Sequence, residues 1–186
     1  MTCIIGYVQK ETVYIGGDSA GVAGLDITLR KDPKVFKNRG FVMGFTTSFR
    51  MGQLLMSSKF KPKKQKKTQS DYDYMITEFI DTVMKLFKDS GYLRINDENQ
   101  EYGGNFLVGY KGVLYSIDSD FQVGISILNY DAVGCGESYA KGAMEVLTNL
   151  PQVGLKPEDI ITQALEVVAK HSGGVSAPFI IELMSK

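Results

Sequence analysis

Tryptophan is absent from this 186-residue chain, histidine occurs once, at His171, and cysteine only twice, at Cys3 and Cys135. One histidine and two cysteines do not make the ligand set of the usual zinc site. Two cysteines form one bridge at most, which fits a reducing cytoplasm better than a stapled secreted domain. Neither sign of charge is in excess. The 21 Lys+Arg and 21 Asp+Glu give a formal net charge of zero, which argues against bulk binding of nucleic acid. No apolar run approaches the roughly 20 residues of a membrane-spanning helix. The start, Met1-Thr2-Cys3-Ile4-Ile5-Gly6, lacks the basic segment and small-residue cleavage site of a signal peptide. What is present is ordinary globular composition, 44% apolar and 23% charged. That is enough apolar mass to offset chain entropy in one domain over residues 1–186. No internal repeat or linker divides it.

The pattern along the chain predicts strands at 2–9 and 12–16 joined by Lys10-Glu11, and a second hairpin from 34–37 and 40–47 turning at Asn38-Arg39-Gly40. The first pair is close to continuously apolar, so both of its faces are expected to be buried. A helix is expected from Ser48 to about Ser58. A longer one follows from about Asp71 to Lys88, capped by Ser70, with Met75, Ile76, Phe79, Ile80, Val83, Met84 and Phe87 on one face. A third hairpin is read at 104–110 and 112–117, and a short strand at 129–133. Helices are read at 137–150 and 157–171, and a closing strand at 179–183. Pro157 suits a first helical turn and Gly173-Gly174 a helix stop. Antiparallel hairpins alternating with blocks of helices indicate an α+β layered domain with two packed sheets.

The chemistry starts at Thr2. Removal of Met1 is easy when the next residue is small, and it would expose Thr2 as the first residue. An N-terminal threonine carries a hydroxyl nucleophile and an α-amine in one residue. That amine has a reference pKa of about 7.7–8.0, so it serves as a base near neutrality without histidine. A nearby buried ammonium would lower that value further. Asp18, in Gly16-Gly17-Asp18-Ser19, and Lys34, in Lys31-Asp32-Pro33-Lys34-Val35, stand at the ends of apolar strands. There a charge must be paired or exposed. If the strands are neighbours, both converge on Thr2.

With Gly44-Phe45-Thr46-Thr47, these residues resemble the proteasome β-subunit family. They are also similar to the bacterial two-component peptidase of the heat-shock locus; both are N-terminal-nucleophile hydrolases. The family spaces its Thr, Asp and Lys by 16 and 32 positions, and here 18 − 2 = 16 and 34 − 2 = 32. Gly134-Cys135-Gly136 resembles the family's Gly-Ser-Gly turn, and Ser172-Gly173-Gly174 its last Ser-Gly-Gly. The resemblance implies a four-layer αββα sandwich. It implies that Thr2 attacks a peptide carbonyl, that Lys34 supplies a positive field, and that Asp18 holds Lys34. It makes the Ser48 N–H an oxyanion donor, sets Cys135 and Ser172 by the amine, and gives Thr46 and Gly21 to substrate binding. It further implies identical subunits in a ring or double ring enclosing the sites, an ATPase unfoldase as partner, peptide or unfolded protein as substrate, and no cofactor or metal. The chain departs from the family with Ser48 for glycine, Cys135 for serine, and Ala169 where proteasome subunits carry an aspartate.

Other features have plainer readings. Cys135 with His171 as its base would make a thiol nucleophile, but a small residue at a strand–helix turn packs and a histidine at a helix end caps. Gly134-Cys135-Gly136 lacks the third glycine of a phosphate turn, where Tyr139 stands, and no Walker lysine motif occurs. Asp118-Ser119-Asp120 lacks the glycine and glutamate of a calcium loop. The run Lys59–Lys67 reads as a solvated loop or as a docking surface for an acidic partner, with the acidic stretch Asp97–Glu101 as one complement. Two rival functions stay open, a catalytically inactive ring subunit and a small-molecule amidase of the same superfamily.

Overall fold

The computed structural model describes residues 1–96, 99–101, 104–150 and 154–186. Its first sheet is antiparallel, in the order β12-β1-β2-β13, built from β1 (Cys3–Gln9), β2 (Thr12–Asp18), β12 (Tyr130–Gly134) and β13 (Phe179–Ser185). Its second runs β11-β10-β9-β6-β5, from β5 (Val35–Asn38), β6 (Phe41–Phe45), β9 (Phe106–Tyr110), β10 (Val113–Ile117) and β11 (Val123–Gly124). Two further hairpins stand apart, β3 (Ala20–Ala23) with β4 (Asp26–Leu29), and β7 (Arg94–Asn96) with β8 (Asn99–Glu101). The helices are α1 (Phe49–Met56), α2 (Asp71–Tyr74), α3 (Ile80–Asp89), α4 (Glu137–Asn149) and α5 (Pro157–His171).

The alternation of side chains along a strand sets the packing. Along β1, Cys3, Ile5 and Tyr7 enter a core with Met144 of α4 and Ile161 and Leu165 of α5. Ile4 points the other way and meets Val35, Val42 and Leu107 of the second sheet, with Val13 and Ile15 of β2 beside it. A buried side chain of this size is worth about 1.5–3 kcal/mol. Gly44 allows the close approach of the sheets, since a Cβ there would lie 2.6 Å from Ile4 and 2.8 Å from Ile15. The far face of the second sheet, with Phe36, Phe41, Phe45 and Phe106, packs on Leu55 of α1 and on Val83 and Phe87 of α3. The expected burial of both faces of the first hairpin therefore holds.

Three hairpins turn on residue pairs with positive φ, Lys10-Glu11, Arg39-Gly40 and Lys111-Gly112, as two-residue turns matched to strand twist require. The predicted helix at 71–88 departs in one respect. A π-helical turn, Met75–Phe79, joins α2 to α3. Its extra residue per turn rotates the apolar face, and Ile76, expected inside, is exposed. The β3–β4 hairpin lies where no strand was predicted. Its residues from Ala23 to Leu29 are all exposed, so no apolar alternation marks it. Among the described residues no helix is long and apolar enough to cross a membrane.

Candidate active site

The two ends of the first hairpin and the entry to β5 meet at Thr2. Antiparallel pairing sets Ile4 opposite Gly17, so Asp18 ends β2 level with the start of β1. Its Oδ1 accepts the Cys3 N–H at 3.0 Å and its Oδ2 accepts the Ala20 N–H at 3.0 Å. Lys34 enters from the second sheet, where its carbonyl accepts the Phe45 N–H. The Lys34 Nζ donates to Thr2 Oγ1 at 2.6 Å, to Asp18 Oδ2 at 2.9 Å and to the Ala20 carbonyl at 2.5 Å. All three ammonium hydrogens are thus engaged. The Lys34 and Asp18 side chains are only 1% and 0% exposed. An ion pair so buried survives only when hydrogen bonds complete it, and here both partners have them. Burial lowers the Lys34 pKa from its ordinary value, and Asp18 opposes that shift.

Thr2 is itself buried, and its nitrogen is the amide of the Met1–Thr2 peptide bond. That N–H donates to Cys135 Sγ at 3.3 Å, and the Thr2 hydroxyl donates to the Met1 carbonyl at 2.5 Å. The Cys135 thiol donates to the Thr2 carbonyl at 3.3 Å and lies 3.7 Å from Ser172 Oγ. Gly134 makes this approach possible. Its φ is +106°, and a Cβ there would stand 2.3 Å from the Thr2 carbonyl oxygen. Cys3, one residue on, points into the helix-side core, and burial pushes its thiol pKa far up, which keeps it protonated and inert.

Six of the residues singled out in the sequence therefore gather at one point or beside it: Thr2, Asp18, Lys34, Cys135, Ser172 and Gly21. A cavity of about 310 Å³ opens beside Thr2 and Lys34, walled by Gly21, Val22, Arg30, Phe45, Thr47 and Phe49. Two residues stand differently. Thr46 is buried and turned from the cavity, its hydroxyl donating to the Asn105 carbonyl at 2.9 Å; its neighbours Phe45 and Thr47 supply the wall instead. The Ser48 N–H donates to the Thr46 carbonyl at 2.7 Å across Thr47, whose φ is +64°. Ser48 also caps α1, accepting the Met51 N–H. Arg30 and Phe49 carried no sequence signal, because one lies past an unrecognised hairpin and the other reads as an ordinary apolar helix residue.

His171 stacks on Tyr139, with ring centroids 5.7 Å apart. Among the described residues no hydrogen bond joins it to Cys135. The run Lys59–Lys67 forms the connection between α1 and α2, pinned where Tyr74 donates to the Lys63 carbonyl and Tyr110 to Gln65. Asp97 and Glu98, which open the acidic stretch set against it, lie outside the described residues.

No family model matches the sequence, and no curated protein is similar to it in sequence. Solved structures do share its fold. BPH of Thiobacillus denitrificans, in complex with epoxomicin, has a TM-score of 0.80 at 15% identity, over 99% of this chain and 98% of that one. A second structure of that protein gives 0.79 at 16%, over the same shares. HslV of Trypanosoma brucei gives 0.69 at 18%, over 100% of both chains. These are proteasome-like peptidases, and the likeness to them is one of fold.

Proposed function

We propose that this chain is an N-terminal threonine peptidase of the proteasome β type, competent once Met1 is removed. The observation that carries the reading is the buried Lys34 Nζ, 2.6 Å from Thr2 Oγ1 and paired with Asp18. In this reading the two sheets and their helices form the four-layer αββα sandwich of N-terminal-nucleophile hydrolases, as a single domain.

With Met1 gone, the Thr2 nitrogen becomes an amine. Thr2 Oγ1 bonds to the carbonyl carbon of a peptide while its proton passes to that amine. The tetrahedral intermediate then expels the leaving nitrogen, which takes the proton back, and an ester on Thr2 remains. Water, activated by the same amine, hydrolyses the ester and restores Thr2. Lys34 stays charged throughout and stabilises negative charge at Oγ1. Its hydrogens are all engaged, so it acts by field and not as the proton carrier. Cys135, which accepts the Thr2 N–H, and Ser172 beside it hold the amine. The Ser48 N–H serves the oxyanion once the Thr46–Ser48 turn releases it, and a donor of this kind is worth about 2.7–4 kcal/mol.

In this reading identical subunits form a ring in the cytoplasm that encloses the sites and is fed by an ATPase unfoldase; the fold shared with HslV supports the ring alone. The test is Thr2→Ala. The variant should assemble as the wild type does and cleave no peptide, and an electrophile selective for N-terminal threonine should label Thr2 in the wild type only. Equal turnover by Thr2→Ala would reject the mechanism. A purified chain whose mass still includes Met1 and which cleaves peptides would reject it as well.

A further inference from the structure

We infer that the cavity beside Thr2 selects a substrate side chain that has an aliphatic stem and ends in a carboxylate, and that Arg30 is the residue that reads it. The inference rests on the threonine-peptidase reading and names its substrate class. Apart from Met1, which processing removes, the side chains of the cavity wall include two cations, Arg30 and Lys34, and no carboxylate. Lys34 has no hydrogen left to offer, because Thr2, Asp18 and the Ala20 carbonyl take all three. Arg30 is different. Its Nε and Nη2 donate to the two oxygens of Asp32 at 2.9 and 2.7 Å. Its guanidinium carbon lies 3.9 Å from the centre of the Phe49 ring. Among the described residues its Nη1 meets no acceptor.

Asp32 is not part of the cavity wall. It grips Arg30 from outside the cavity, so the cavity meets the unused Nη1 edge of an ion-paired guanidinium. The pair fixes the fork in orientation as well as in charge, since a side-on bidentate contact leaves the planar group little freedom. Phe49 beneath it and Phe45, Val22 and Ala23 around it line the way with apolar surface. A glutamate side chain matches both parts: its methylenes lie along the rings and its oxygens meet the free edge of Arg30. A lysine or arginine side chain would find no carboxylate on this wall and would face the donor edge of Arg30, so the cavity disfavours basic residues.

The test uses the processed wild-type protein and four fluorogenic peptides, identical except for the residue before the scissile bond: Glu, Gln, Leu or Lys. The expected order of kcat/KM is Glu first and Lys last, with Glu ahead of Gln by about tenfold or more, the size of one charge-assisted contact in a partly exposed site. Arg30→Met keeps a stem on Phe49 and removes the charge. It should bring the Glu/Gln ratio close to one, chiefly by raising KM for the Glu peptide. In the wild type, which needs no variant to fold, the same ratio should fall as ionic strength rises. Thr2-dependent cleavage that does not distinguish Glu from Gln, or a ratio untouched by both Arg30→Met and salt, overturns this inference and leaves the peptidase reading standing. Cleavage that persists in Thr2→Ala, or none by the processed wild type, overturns both.

Discussion

Replacing Lys34 with methionine removes one ammonium from the centre of the site and keeps nearly the same volume. The Asp18 carboxylate is then left fully buried with two backbone N–H donors, from Cys3 and Ala20, and no counter-ion. Breaking a buried pair from one side costs about 3–5 kcal/mol. The two surviving donors put Lys34→Met at the lower end, about 3 kcal/mol. A chain of this size loses about 2–4 °C of Tm per kcal/mol, so Tm should fall by roughly 6–12 °C. Asp18→Asn should also destabilise, because its amide NH2 would face one of those N–H groups. In the Asp18→Asn background, however, adding Lys34→Met should cost about 2 kcal/mol less than it does alone, since no bare carboxylate remains. Thermal unfolding of the four proteins in the cycle measures this, and labelling of Thr2 by a threonine-selective electrophile reports the site in parallel. All variants lacking Lys34 should label slowly whatever their stability. A Lys34→Met loss below about 1 kcal/mol, or strictly additive costs, would show that the pair is not the buried unit described.

Three further outcomes are expected. Thr47→Gly should raise Tm by about 2–4 °C, because a β-branched residue at φ +64° costs about 1 kcal/mol; no gain would mean the turn is unstrained. Gly134→Ala should destabilise by about 2–4 kcal/mol and slow Thr2 labelling, since the new methyl would meet the Thr2 carbonyl at a φ that alanine disfavours. Tyr74, Tyr115 and Tyr130 are pushed up to about 12, by burial first in each case. The unfolded chain therefore loses these protons first as pH passes 10, and stability should be intact below that value and fall between about 10 and 12. Tyrosinate absorbance followed together with circular dichroism checks this, and titration of all ten tyrosines near 10 with the fold intact would contradict it.

Much of the frame was legible because its causes are local. Continuous apolar runs marked β1 and β2 as buried on both faces, and Ser70 marked the start of α2, where it accepts the Asp73 N–H as a cap should. The convergence of Thr2, Asp18 and Lys34 was legible for a related reason. Charged residues at the ends of apolar strands have few places to go, and hairpin register brings those ends together. The β3–β4 hairpin was not legible, since its small and exposed residues leave no periodic trace, and the Arg30 and Asp32 pair beyond it stayed hidden as well. The π-turn at Met75–Phe79 was equally silent, for the apolar spacing across it reads as an uninterrupted 3.6-residue period. Thr46 was assigned to the cavity on resemblance, whereas strand alternation and the turn at Thr47 place its neighbours there.

The two chain ends lie at opposite ends of the first sheet: Thr2 is level with Asp18, while Ser185 pairs with Thr12 and the Lys186 N–H reaches Glu11. Anything fused ahead of Met1 would hang over the cleft and keep the nitrogen of Thr2 an amide. Purification handles and fluorescent reporters therefore belong behind Lys186, and a chain tagged the other way round would lack the free amine that the proposed mechanism needs.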